Sequence, residues 1–84
     1  MSAASFTWAV VTPDGTAASG TCEFLVVPTT RGELGVLAEH APLVASVAPG
    51  NLRVTSGGAE TLVPVGGGIV EVLDNTVTLR VGRA

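Results

Sequence analysis

Few side chains in this sequence are of the types that carry out covalent catalysis. Cys22 is the only cysteine and His40 the only histidine among 84 residues. A hydrolase or transferase needs a nucleophile, a base and a group that orients the base, and a zinc site needs several Cys or His ligands. Cys22 alternates with Phe24 and Val26 along an apolar face, so we predict that it is a small core residue. These residue types predict no catalytic residue and no metal site.

The glutamates and a run of three glycines are the remaining candidates for a site. Paired carboxylates can act as general acid and base, and the sequence contains Glu23, Glu33, Glu39, Glu60 and Glu71. We expect most of these to be solvated charges on strands or in loops. Gly66-Gly67-Gly68 lacks the Lys-Ser/Thr and the helix of a phosphate-binding loop. We therefore predict a bulge, a tight bend or a close approach of another backbone there, and no bound cofactor.

Length and composition indicate one small folded domain, residues 1–84. Hydrophobic residues make up 46% of the chain, too many for a disordered protein. No apolar run reaches the roughly 18–20 residues of a membrane span, and the N-terminus lacks the basic segment of a secretory signal. The formal net charge is −3, the basic residues are four scattered arginines, and aromatic residues are 4%. This pattern argues against nucleic-acid binding, which requires a clustered basic face with stacking aromatics.

Short β-branched runs separated by glycine and proline predict strands and no helix. The clearest strand is Thr76–Val81, in which Val77, Leu79 and Val81 alternate with polar residues. We predict further strands over residues 6–11, 21–27, 33–37, 51–55, 60–65 and 68–73, and an ordered loop after Leu37. Turns at Ser56-Gly57-Gly58-Ala59 and Asp74-Asn75 are predicted to close two hairpins. The predicted fold is all-β, a flattened antiparallel β sandwich or barrel of about 8–10 short strands.

Two segments of the chain match the pattern of a known family. The first is Gly32-Glu33-Leu34-Gly35-Val36-Leu37, followed by His40-Ala41-Pro42-Leu43 and Pro49-Gly50-Asn51-Leu52-Arg53-Val54. The second is Gly67-Gly68-Ile69-Val70-Glu71-Val72, followed by Asp74-Asn75 and Val77-Thr78. With Val11-Thr12-Pro13 near the start, these motifs stand in the family's order over nearly the whole chain. The sequence resembles the ε subunit of bacterial F-type ATP synthase.

The resemblance implies a β sandwich at the foot of the rotor. In that family the domain packs against the γ subunit and rests on the polar loops of the membrane c-ring. It would be a non-catalytic rotor subunit that couples proton transport to ATP synthesis. The implied location is the cytoplasmic face of the bacterial plasma membrane, as a peripheral part of the complex without membrane insertion.

Two groups of site residues are carried over from the family. The resemblance implies a c-ring contact at Thr29, Thr30, Arg31 and Glu33. It implies a γ contact at His40, Ala41, Pro42, Leu43 and Ala45. The residues alone leave simpler interpretations open, because Glu33 beside Arg31 also fits a solvated turn and His40 also fits a hydrogen bond within its own loop.

The chain departs from the family pattern at two places. Ala38-Glu39 stands where the family usually has Pro-Gly, so we expect an added negative charge and the loss of a sharp turn. Family members usually continue into two C-terminal helices, which in some cases bind ATP and inhibit hydrolysis, whereas this sequence stops at Ala84. If the sequence is complete, we expect no nucleotide binding.

Two alternative functions are also compatible with these residues. One is a small β-sandwich protein-binding module unrelated to the synthase. The other is a minimal enzyme that uses Cys22 or His40, which the scarcity of partner residues disfavours.

Overall fold

A computed structural model describes residues 4–82, so the outermost residues of the predicted domain 1–84 lie outside the described part. Nine strands occur in that part, and no helix is found within residues 4–82. The strands are β1 (Phe6–Thr12), β2 (Gly15–Cys22), β3 (Phe24–Thr29), β4 (Gly32–Leu37), β5 (Leu43–Val47), β6 (Gly50–Ser56), β7 (Ala59–Val65), β8 (Gly68–Leu73) and β9 (Thr76–Val81).

The strands form one continuous sheet that folds into a nearly closed, barrel-like sandwich. The strand order is β2-β1-β9-β8-β5-β3-β6-β7, and β4 pairs with β3. All pairings are antiparallel except that of β1 with β9, the first and last strands, which is parallel. Parallel neighbours need a long connection, and here the rest of the chain provides it. The predicted all-β sandwich is confirmed.

The inner faces of the strands build a wholly apolar core. In β9, Val77, Leu79 and Val81 are buried, so the facing predicted from their alternation is confirmed. Leu25 of β3 and Leu52 of β6 are among the other fully buried side chains. No polar or charged residue is buried among residues 4–82. Apolar burial is therefore the main source of stability in this domain.

The chain bends at Glu23, where the sequence predicted an uninterrupted strand over residues 21–27. β2 ends at Cys22 and β3 begins at Phe24. The Glu23 amide donates to the Thr55 carbonyl at 3.0 Å, and the Glu23 carboxylate accepts from the Gly57 amide at 2.7 Å. The bend resets the alternation: Cys22 is buried, as predicted, but Phe24 is 38% exposed. The predicted grouping of Phe24 with Cys22 is therefore wrong.

The segment after Leu37, predicted to be an ordered loop, contains β5. Leu43 and Ala45 pack against the core and Val47 is buried, while Val44 and Ser46 between them are exposed. β5 pairs along its whole length with β8. Pairing between distant segments, and not local propensity, makes this stretch a strand.

The two predicted hairpin turns and the glycine run have the backbone geometry that the sequence predicts. Gly57 and Gly58, like Asp74 and Asn75, have positive φ angles, as a two-residue hairpin turn of the primed type requires. A Cβ atom on Gly68 would lie 2.8 Å from the Val81 Cα and still closer to the Arg80 carbonyl oxygen. The close backbone approach predicted for the glycine run is thus confirmed at Gly68.

Candidate functional site

The β3–β4 turn, Thr29 to Gly32, carries three of the four residues predicted to contact the c-ring. The Thr29 hydroxyl donates to the Gly32 carbonyl and accepts from the Arg31 amide at 3.2 Å. Gly32 has a φ of 110°, which favours glycine. The Thr30 amide donates to the Ser46 carbonyl at 3.0 Å. These bonds fix the turn on itself and on β5, with Thr30 and Arg31 exposed at its tip.

Glu33 follows the turn on the outer face of the sheet. Its carboxylate accepts from an Arg53 Nη2 at 3.3 Å, across strand β3. The Glu33 side chain is 67% exposed and that of Arg53 is 40% exposed, so the pair contributes at most about 1 kcal/mol to folding. Glu33 is therefore accessible to a partner, and besides being solvated it has a cross-strand contact with Arg53.

A surface depression of about 330 Å³ joins the turn to β5. Its lining residues are Thr29, Thr30, Arg31, Val44, Ala45 and Ser46. Ala45, predicted as a γ contact, thus lies beside the predicted c-ring residues.

The loop of residues 38–42 connects β4 to β5 and carries the predicted residues His40, Ala41 and Pro42. The His40 amide donates to the Leu37 carbonyl at 3.2 Å, and Glu39 has a φ of 62°. The chain therefore keeps a sharp turn without the family's glycine, and the expected loss of that turn is wrong. The His40 Nδ1–H donates to the Ala41 carbonyl at 2.7 Å, which is the hydrogen bond within its own loop.

An apolar surface lies next to this loop and was missed by the sequence analysis. Val44 is 68% exposed and Leu73 is 46% exposed. Both line a second depression, of about 250 Å³, together with Pro42, Leu43, Glu71 and Val72. We call Pro42, Val44 and Leu73 the loop-side apolar surface. A loop predicted over residues 43–47 gives no outward direction for Val44. That direction follows from the pairing of β5 with β8.

The β3–β4 turn and the 38–42 loop lie at opposite ends of strand β4. β4 spans Gly32–Leu37, and six residues of strand extend about 20 Å. Thr29, Thr30, Arg31 and Glu33 are together at one end, and His40, Ala41 and Pro42 are at the other. Leu43 and Ala45, on the strand that leads back, are partly buried against the core. The predicted c-ring residues and the loop residues of the predicted γ group therefore lie in two separate areas of the molecule.

The groups considered for catalysis are not assembled into a reactive site. Cys22 is fully buried, and desolvation, with a smaller contribution from the charge of Glu23, raises the pKa of its thiol from 9.0 to about 11. Residues 4–82 contain no group of three or more His, Cys, Asp or Glu side chains that could hold a metal ion. Nor does that part of the chain include a helix long and apolar enough to cross a membrane.

Comparison with known protein families shows to which family the chain belongs. The sequence profile described as "ATP synthase, Delta/Epsilon chain, beta-sandwich domain" matches residues 5–84. This chain belongs to that family. The ε chain of ATP synthase is not itself catalytic. The family resemblance inferred from the sequence motifs is confirmed, and membership overturns the alternative of an unrelated binding module.

Curated relatives of this family member are bacterial ATP synthase epsilon chains. It is 43% identical over 82 residues to that of Desulfitobacterium hafniense, covering 98% of this chain and 62% of the relative. It is 47% identical over 70 residues to that of Alkalihalophilus pseudofirmus, covering 83% of this chain and 53% of the relative. The chain thus spans little more than half of the length of these relatives.

Solved structures share the fold of this family member. A chain in the cryo-EM structure of the Euglena gracilis mitochondrial ATP synthase, comprising OSCP, F1 and c-ring, superimposes with a TM-score of 0.81 at 28% identity. The match covers 90% of this chain and 49% of that one. A chain of the Tetrahymena thermophila mitochondrial ATP synthase central stalk and c-ring has a TM-score of 0.73 at 19% identity, covering 96% and 66% of the two chains. The second likeness concerns the fold alone.

Proposed function

We propose that this family member is a non-catalytic rotor subunit in the central stalk of an F-type ATP synthase. It joins the γ subunit to the c-ring and so couples proton transport to ATP synthesis. As part of the complex it lies on the cytoplasmic face of the bacterial plasma membrane. The observation that carries the proposal is the match of residues 5–84 to the delta/epsilon β-sandwich domain.

The mechanical properties of the fold support a coupling role. A part that transmits torque must resist deformation, and here nine strands form one continuous sheet around an apolar core. Protein interiors of this kind are close-packed and have low compressibility. The molecule measures 38 × 22 × 21 Å, large enough to present separate areas to two partners.

We assign the c-ring contact to Thr29, Thr30, Arg31 and Glu33. The threonines and Arg31 present hydrogen-bonding groups on a turn that is held by three hydrogen bonds, so little conformational entropy is lost on binding. Glu33 adds an exposed negative charge. Exposed charges at a contact set orientation and association rate more than affinity.

We assign the γ contact to His40, Ala41, Pro42, Leu43 and Ala45, and we add Val44 and Leu73 from the loop-side apolar surface. Exposed apolar side chains grouped beside a depression are typical of protein-binding sites. Leu43 and Ala45 are partly buried against the core, so they support the backbone of the surface more than they extend from it.

The c-ring assignment is tested by a charge reversal with a matched control. Glu33→Lys places a third positive charge near Arg31 and Arg53 and is expected to weaken retention of the chain on c-ring–γ complexes by about tenfold, or 1.4 kcal/mol. Glu60→Lys makes the same charge change on β7, at another exposed position, and is expected to bind like the unaltered chain. Retention is measured by pull-down at fixed salt concentration, since screening alters such contacts.

Two outcomes contradict the assignment. Equal retention of both variants would remove Glu33 from the contact. Loss of folding in Glu33→Lys, seen by circular dichroism, would indicate that the residue is structural. Failure of the unaltered chain to be retained would overturn the proposed function itself.

A further inference from the structure

We propose that Asn75 is a positioning residue that holds the 38–42 loop in its binding conformation and thereby sets affinity for γ. The inference rests on the proposed function, which identifies γ as the binding partner. Asn75 itself lies in the β8–β9 turn, on a different element from the residues assigned to the contact.

The side chain of Asn75 connects three separate segments of the chain. Its Oδ1 accepts from the Glu39 amide at 2.7 Å, and its Nδ2 donates to the Ser5 carbonyl at 3.2 Å. Its backbone carbonyl accepts from the Thr7 amide at 3.4 Å. The turn between β8 and β9 therefore serves as an anchor for both the loop and the start of β1.

The bond to Glu39 matters because the loop is held at a strained residue. Glu39 has a φ of 62°, in the left-handed region that a residue with a Cβ rarely adopts. Such conformations persist where the surroundings hold them in place. Among the hydrogen bonds of the described residues, the bond from the His40 amide to the Leu37 carbonyl closes the turn itself, and the bond from the Glu39 amide ties the turn to a distant segment. Asn75 provides that second bond, at the strained residue.

Asparagine suits this position for two reasons. Asn75 has a φ of 59°, which asparagine tolerates better than most residues. Its amide also supplies an acceptor and a donor at once, which Glu39 and Ser5 use. Glycine would keep the turn but lose both bonds, and aspartate would keep the acceptor but lose the donor. These two changes separate the loop contact from the contact with Ser5.

Hydrogen exchange measured by NMR tests the holding role directly. In Asn75→Gly, exchange of the Glu39 and His40 amides is expected to accelerate by about tenfold relative to that of buried β9 amides, since one hydrogen bond is lost. Asp74→Gly is the matched control, because it changes the neighbouring turn residue, whose side chain makes no hydrogen bond to the loop. It is expected to change these rates by less than about twofold.

Binding to the isolated γ subunit tests the consequence. At a temperature where all variants are folded, Asn75→Gly is expected to raise the dissociation constant about five- to tenfold. Asp74→Gly is expected to leave it unchanged, and Asn75→Asp to retain most of the affinity through its acceptor. A purely structural role would lower the unfolding temperature without this order of affinities.

Four results bear on the proposal. Equal loss of affinity in Asn75→Gly and Asp74→Gly would overturn it, as would unchanged exchange at Glu39 in Asn75→Gly. If the unaltered chain does not bind γ, the proposed function and the affinity claim both fall, whereas the exchange data still decide whether Asn75 holds the loop. Faster exchange together with selective loss of γ affinity supports the proposal.

Discussion

Cys22 shows how a reactive residue type becomes inert through its surroundings. Burial raises the pKa of its thiol to about 11 in the folded protein, whereas the exposed thiol of the unfolded chain has a pKa of 9.0. Unfolding is therefore favoured as the pH rises between these values, and the free energy of unfolding is expected to fall by up to about 1.4 kcal/mol per pH unit from pH 9 to 11. Well below pH 9, where the thiol is protonated in both states, Cys22 contributes no pH dependence.

Urea unfolding at a series of pH values measures this effect with little interference. The chain contains no lysine and no tyrosine, so no other side chain titrates ordinarily in this range. Cys22→Ala serves as the control and is expected to lose the slope between pH 9 and 11. Identical pH dependence in the two proteins would show that the thiol is not desolvated.

Leu79 and Leu62 provide a matched test of the inward and outward faces. Leu79 is fully buried and Leu62 is 54% exposed. Leu79→Ala is expected to lower the free energy of unfolding by about 2–4 kcal/mol because it leaves a cavity, and Leu62→Ala by less than about 1 kcal/mol. Chemical denaturation measures both, and a loss under about 1 kcal/mol for Leu79→Ala would mean that its side chain is not in the core.

The facing of individual residues was predictable where one alternation ran uninterrupted. Val77, Leu79 and Val81 alternate with polar residues through β9, and the structure buries all three. Phe24 could not be placed in this way, because the bend at Glu23 depends on bonds to Thr55 and Gly57 in a distant hairpin. Alternation is a local signal, and long-range bonds override it.

Among the elements, the glycine run between β7 and β8 contains two positions with different steric requirements. Gly68 has no room for a side chain, whereas Gly67 has room for one. A Cβ on Gly68 would collide with the backbone of β9, whereas a Cβ on Gly67 would meet nothing closer than 3.4 Å. Gly68→Ala is expected to cost more than about 3 kcal/mol of folding free energy, since backbone cannot yield as a side chain can. Gly67→Ala is expected to cost less than about 1 kcal/mol.

Thermal unfolding of the two glycine variants compares the same chemical change at adjacent positions. Similar melting temperatures would show that β8 and β9 are not as close at Gly68 as the structure places them. A large difference, with Gly68→Ala the less stable, supports the backbone contact.

Some turns and strands could be predicted from the local sequence, and others could not. The hairpin turns at Gly57-Gly58 and Asp74-Asn75 were predictable, because few residue types accept positive φ. β2 and β5 were missed for different reasons. β2 is rich in small residues and has no alternating apolar face, while β5 follows a loop and is a strand through its pairing with β8. Partners far along the chain specify both.

At the scale of the whole molecule, the sequence motifs were sufficient for the family but not for the arrangement of the contact areas. The resemblance placed Ala45 with His40, whereas the structure sets Ala45 in the depression beside the β3–β4 turn. Val44 and Leu73, on adjacent strands, become neighbours only in the folded sheet. Sequence motifs show the order of residues along the chain, whereas the residues that share a surface are determined by the topology of the sheet.

We propose that this domain connects the rotor to the ring by mechanical contact and performs no chemistry. The most direct test of this proposal compares ATP hydrolysis with ATP-driven proton pumping in inverted membrane vesicles from cells with and without the gene for this chain. We predict that hydrolysis continues without the chain while pumping per ATP falls by at least about tenfold, and that the plasmid-borne gene restores it. An unchanged pumping ratio in vesicles that lack the chain would contradict the account.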